Sequence, residues 1–163
     1  MGVRNSAELG VNLQKIVSRL LANDNLVKYL YYTDKDPLAH DNLTEQEKKE
    51  KILHNLIKII PRVGPKETSH SILVLRIISA TQNYSNAEFR DVQLSVELFT
   101  PLTQWTLKSD NLRPFLILGE VEKSLKGKTI NGLGRIEGGG FDLNFLTEEI
   151  SCYEQNWKIV AYD

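Results

Sequence analysis

Two neighbouring segments of opposite pattern restrict what this chain can fold into. Ser71 to Ser79 is almost continuously apolar and rich in β-branched side chains (Ile72, Val74, Ile77, Ile78). Such a run fits a strand central in a sheet or covered on both faces. After Phe89 and Arg90, Asp91 to Leu98 instead alternates strictly, with Val92, Leu94, Val96 and Leu98 between Asp91, Gln93, Ser95 and Glu97, as a half-buried strand does. Between them Asn83-Tyr84-Ser85-Asn86 is a turn cluster, and Pro101 closes the second run. The pair reads as a long antiparallel hairpin, and a fold must be built around it.

Helical patterns flank the hairpin. Leu9, Leu13, Ile16, Val17, Leu20 and Leu21 share one helix face, with Ser6 as the expected N-cap and Asn23-Asp24-Asn25 as the stop. Leu26, Val27, Leu30 and Tyr31 extend the helical reading by a turn or two, and Thr33 to Asn42 breaks it. Thr44 and Glu47 have capping-box spacing, predicting a helix with Ile52, Leu53, Leu56 and Ile57 on one face, ended by Pro61 and Gly64-Pro65. Asp110 is positioned to cap a further helix through Leu112 to Leu125, with Gly127 as its stop. Beyond it, Asn131-Gly132 and Gly138-Gly139-Gly140 read as tight turns between short strands, followed by a long C-terminal strand. The expected fold is α+β: N-terminal helices, then a mainly antiparallel sheet of about 4–5 strands with one helix packed on it. The 163 residues read as a single domain, with a helical part over 1–62 and a sheet-plus-helix part over 70–163.

The residues give little purchase for catalysis. Lys plus Arg is 20 against 21 for Asp plus Glu, a net charge of −1, without the basic excess of a dedicated nucleic-acid binder. The lone Cys152 excludes an intrachain disulfide and any multi-thiolate zinc site. His40, His54 and His70 lack the i, i+4 spacing of paired metal ligands on one helix face. Asp34-Lys35-Asp36 with Asp41 resembles a fragment of a calcium loop, without its glycine turn and its terminal glutamate. The glycines follow a helix and precede β-type residues, the wrong order for a phosphate cradle. No catalytic, cofactor-binding or metal residue is assigned, and the expectation is a protein that is not an enzyme. The opening MGVRNSAELG has no apolar signal core, and no apolar run reaches the ~20 residues that a membrane-spanning helix needs.

Several short strings carry a family resemblance. They are Tyr31-Tyr32-Thr33-Asp34-Lys35-Asp36-Pro37-Leu38, Glu88-Phe89-Arg90-Asp91, Leu102-Thr103-Gln104-Trp105, Asn111-Leu112-Arg113-Pro114-Phe115, Ile130-Asn131-Gly132-Leu133-Gly134 and Phe145-Leu146-Thr147. With the order of elements, they resemble the neck and tail-completion proteins of tailed bacteriophages, a group that includes tail terminators and head–tail joining proteins. The resemblance runs from about Tyr31 to the C-terminus.

The resemblance implies a structural virion protein, assembled in the host cytoplasm, that forms a homo-oligomeric ring, commonly a hexamer, at the neck. Such a ring terminates the tail tube and joins it to the head connector, with DNA only passing through its lumen and with no cofactor or membrane involved. A closed ring of identical subunits uses a heterologous contact, one patch meeting a different patch on the neighbour. Asp34 and Asp36 in the acidic loop, and Tyr84, Phe89 and Arg90 around the hairpin turn, are the expected subunit or partner contacts. Another neck, head-completion or sheath-associated phage protein is the alternative within this class. A small ligand-binding α+β domain or enzyme, centred on Glu67 and His70, is the reading from a different class.

Overall fold

The structure is a computed structural model, and it describes residues 2–59 and 69–162. Two amphipathic helices come first, α1 (Glu8–Leu21) and α2 (Asp24–Tyr31). Asn23 separates them by capping α2, its side-chain oxygen accepting from the Leu26 N–H. Ser6 is not the cap of α1. That position falls to Ala7 without a side-chain bond, and the Ser6 hydroxyl accepts from Arg90 Nη1 instead.

The capping box at Thr44 and Glu47 is formed, but the helix it starts is short. Glu45–Glu47 (α3) runs directly into a π-turn over Lys48–Ile52. His54 then takes a positive φ of 64°, and Ile57–Lys58 becomes β1, parallel to the start of β2 (Ile72–Gln82). Ile52, Leu56 and Ile57 are buried as the periodicity predicts, although on a turn and a strand in place of a helix. Pro61, Gly64 and Pro65 lie outside the described residues.

β2 pairs antiparallel with β3 (Arg90–Pro101), the hairpin expected from the sequence. The helix α4 (Arg113–Leu125) follows with Leu112 at its N-cap position, while Asp110 sits in the preceding turn at φ 61°. Gly127 ends α4 at φ 70°, as the sequence predicts. Then come β4 (Thr129–Ile130), β5 (Gly134–Leu146) and β6 (Ile150–Val160).

The fold is thus α+β, with six strands among the described residues in the order β1-β2-β3-β6-β5-β4, rather than 4–5. The additional strands are two-residue pieces too short to show a period. One sheet face carries Leu73, Leu75, Val92, Leu94, Val96, Leu98, Trp157 and Ile159, which form one buried cluster with side chains of α1, α2 and α4. The Gly138–Gly140 run is not a turn. β5 passes straight through it with a bulge.

Candidate interaction surface

The acidic loop after α2 is held from beneath by one side chain. Arg113, fully buried at the start of α4, donates from Nε to the Gln104 carbonyl (3.0 Å). Its Nη1 donates to the carbonyls of Tyr29 (2.7 Å) and Tyr32 (2.8 Å), and its Nη2 to that of Asp34 (2.5 Å). Burial pulls the guanidinium's pKa down. It also lies against the C-terminal carbonyls of α2, where a cation is favoured. The sequence reading missed Arg113. Its signal was a cation in the first position of a helix, where the macrodipole opposes it, so the charge had to serve another element.

With its backbone tied down, the loop presents its acids outward. Asp34 Oδ1 accepts from the Asp36 N–H (2.9 Å), and Asp34 Oδ2 meets His40 Nε2 at 2.6 Å. The His40 ring stacks on Tyr32 with centroids 3.9 Å apart. Partial burial raises the Asp34 pKa, but the Asp36 N–H and His40 outweigh it and hold the carboxyl below its ordinary value. A depressed carboxylate contributes stability that is present above its unfolded pKa and lost as pH falls through the folded one. Acidification below about pH 4 should therefore loosen the His40–Asp34 contact, seen as a histidine ring shift by NMR, and Asp34→Asn should remove that acid response. Asp36 faces Lys108 at 3.8 Å across an open cleft of about 440 Å³.

The residues expected at the hairpin divide. Tyr84 is fully exposed at the tip of the β2–β3 turn, where Asn83 Oδ1 accepts from the N–H groups of Ser85 and Asn86. Phe89 is buried, with the Arg4 guanidinium 5.4 Å above its ring. Arg90 takes the Val3 carbonyl through its N–H and the Ser6 hydroxyl through Nη1. Phe89 and Arg90 thus fasten the N-terminal segment to the subunit. Asp34 and Asp36 are grouped in one loop, and the hairpin turn is a separate feature.

Elsewhere, His70 is half-buried beside Ser69 Oγ, and its ring stacks on Tyr31 at 6.1 Å. Burial lowers its pKa. Its expected companion Glu67 lies outside the described residues. Cys152 is buried, and desolvation pushes its thiol up to about 11, so it packs as a small hydrophobe. Among the described residues no group of three His, Cys, Asp or Glu side chains converges as metal ligands would, and no helix is long and apolar enough to cross a membrane.

The most unusual surface was not singled out from the sequence. β4 covers Gly134 and Arg135 of β5, and Ile136 exchanges backbone bonds with Lys128 and Gly127, so the outer edge of β5 from Glu137 to Leu146 has no partner strand among the described residues. Along that free edge Phe141 (44% exposed), Leu143 (51%), Phe145 (41%) and Leu146 (58%) stand open to solvent. Phe141 meets Phe115 in a tilted contact and Tyr153 edge-to-face on the α4 face, while Phe145 lies against Phe99 on the opposite face. The apolar groups therefore flank the edge on both sides. Natural edges are protected by charges, especially lysine, by prolines, by bulges or by cover; here Ile136–Leu146 has two bulges and the acids Glu137 and Asp142 but neither lysine nor proline. The signal was in the sequence: a β-type segment with exposed-parity and buried-parity positions both apolar.

No curated protein matches the sequence. A family model, YomW, matches residues 23–154, from the cap of α2 into the first half of β6 and across the whole free edge. The chain belongs to the YomW family.

Proposed function

We propose that this protein is a structural virion component of a tailed bacteriophage, forming a ring at the neck that terminates the tail tube and joins it to the head connector. It works by the shape of its surfaces, without a chemical step or cofactor. Its partners are copies of itself, the end of the tail tube and the neighbouring neck proteins, and DNA passes through the lumen without being held.

The observation that supports this reading best is the free β5 edge with large apolar side chains on both flanks. A monomer leaves such an edge open to misassociation, whereas an assembly component has it covered. The exposed Asp34–Asp36 loop and the exposed Tyr84 turn are then available for partners above and below the ring.

The test is the mass of the purified chain in solution, alone and with assembled tails, and immunolabelling of virions by electron microscopy. A closed oligomer located at the neck is the expected result. A chain that stays monomeric in both conditions and is absent from virions would overturn the reading. Leu143→Lys, at an exposed position, should leave the fold intact and weaken self-association by about tenfold or more, since one buried apolar side chain contributes ~1.5–3 kcal/mol. Analytical ultracentrifugation of the variant against the parent chain measures this.

A further inference from the structure

The sheet has two free edges, and they are complementary. β1 covers β2 only at Leu73 and Val74, leaving Leu75–Gln82 without a partner strand among the described residues, just as β5 has none from Glu137 onward, past Ile136, whose backbone is bonded to Gly127 and Lys128. β2 and β5 run in opposite senses, because each successive pair across β2-β3-β6-β5 is antiparallel. We propose that the β5 edge of one subunit pairs antiparallel with the β2 edge of the next, so that the sheet continues from copy to copy. The proposal rests on the ring-forming reading above and specifies its contact.

The short strands set the register. β4 occupies one end of the β5 edge and β1 the opposite end of the β2 edge, so each acts as a stop against the incoming strand. Between the stops β2 offers residues 75–82, with one bulged residue at Ile78. β5 offers residues 137–143 against them, with one bulged residue at Gly139. Thr81 then lies opposite Glu137 and Leu75 opposite Leu143, and every pair between them falls on the same sheet face. Ile77 meets Phe141, apolar against apolar. A one-residue slip would put each side chain against the wrong face.

Charge supports the same partner. Asp142, Glu154 and Glu97 sit directly opposite one another across β5, β6 and β3, three carboxylates in a row on one face. Like charges so placed destabilise a sheet. Arg76 of β2 pairs with Glu97 at one end of the row, and Asp142 at the other end has no ion-pair partner among the described residues. In the proposed register the neighbour's Arg76 lies opposite Asp142 and closes the row with a second cation. Two β5 edges paired antiparallel with each other would instead set Asp142 against Glu137 of the copy, carboxylate against carboxylate.

Cysteine cross-linking tests the contact. Thr81 and Glu137, both exposed, face each other in this register. Thr81→Cys and Glu137→Cys, each made alone, should stay uncross-linked under mild oxidation, while an equimolar mixture should give a disulfide-linked dimer and the double variant a ladder of higher species. Cys152 is buried and weakly acidic, so it contributes no background. Asp142→Lys should reduce the mixture's cross-link yield and weaken association about tenfold, by replacing an attraction with a repulsion. An oligomer that forms without the mixed cross-link overturns the β2–β5 pairing and leaves the ring reading standing. Cross-linking of Glu137→Cys alone indicates β5 against β5 and also overturns it. A chain that remains monomeric at high concentration and gives no cross-link overturns both.

Discussion

Replacing Arg113 with methionine should destabilise the protein by about 4 kcal/mol, within the range seen when a buried charged hydrogen-bond network is broken. Its guanidinium donates to four carbonyls from three segments: Tyr29 and Tyr32 at the end of α2, Asp34 in the acidic loop, and Gln104 ahead of α4. Methionine keeps much of the volume but leaves those carbonyls, that of Tyr29 buried and the other three part-buried, without their donor, and each buried loss costs ~1–3 kcal/mol before relaxation. At ~2–4 °C per kcal/mol for a chain of this size, the midpoint of thermal unfolding should fall by about 8–16 °C. Arg113→Lys should recover less than half of this, because an ammonium cannot span the same fork of acceptors. Hydrogen exchange gives the local signature, since amides of 29–40 should lose protection before those of β3 and β6. If both variants melt with the parent chain, Arg113 does not carry the loop. A loop that opens should also lose the outward arrangement of Asp34 and Asp36, so any partner docking there weakens with it.

The sequence displayed the hairpin, α1, α2 and α4 clearly, because each is long enough for its period to show. What it concealed was decided at a distance. The capping box at Thr44 correctly announced a helix start. Whether that helix continued depended on Lys48, whose ammonium is drawn to Asp24 at 2.8 Å, and on β2, which offered Leu73 and Val74 as partners for Ile57 and Lys58. Ile52, Leu56 and Ile57 satisfy a helix and a turn-plus-strand equally well, since both bury them. The glycine run was ambiguous in the same sense, because φ > 0 serves a hairpin turn and a bulge alike. Among the expected contacts, Phe89 and Arg90 stand beside a turn, which is all that the sequence shows of them. Their real neighbours, Val3, Arg4 and Ser6, come from the far end of the chain, which no local pattern reveals. The free edge was legible in composition but not in topology, since only the strand order shows that β4 stops after two residues.

Gly139→Ala should cost about 3 kcal/mol, whereas Gly140→Ala beside it should be nearly silent. Gly139 has φ 100°, where a side chain is strained by ~1–3 kcal/mol. A Cβ there would lie 2.8 Å from Cη2 of Trp157, with two further ring carbons at 3.2 and 3.3 Å. Trp157 is among the largest fully buried side chains and packs in the shared core, so its ring can yield only by disturbing that core. The bulge therefore exists so that bare backbone can pass over the indole, and that passage fixes where β5 changes parity. Gly140 has an ordinary φ, and its Cβ would meet open space. Urea unfolding followed by near-ultraviolet circular dichroism of the tryptophans separates the two, with a shifted midpoint and altered indole signal expected for Gly139→Ala alone. Equal midpoints for the two variants would show that the indole is not what the glycine accommodates. The same variant bears on assembly, because in the proposed pairing the β5 bulge sets Phe141 and Asp142 opposite Ile77 and Arg76 of the next copy. Gly139→Ala should accordingly weaken association more than its loss of subunit stability predicts, and Gly140→Ala should leave both unchanged.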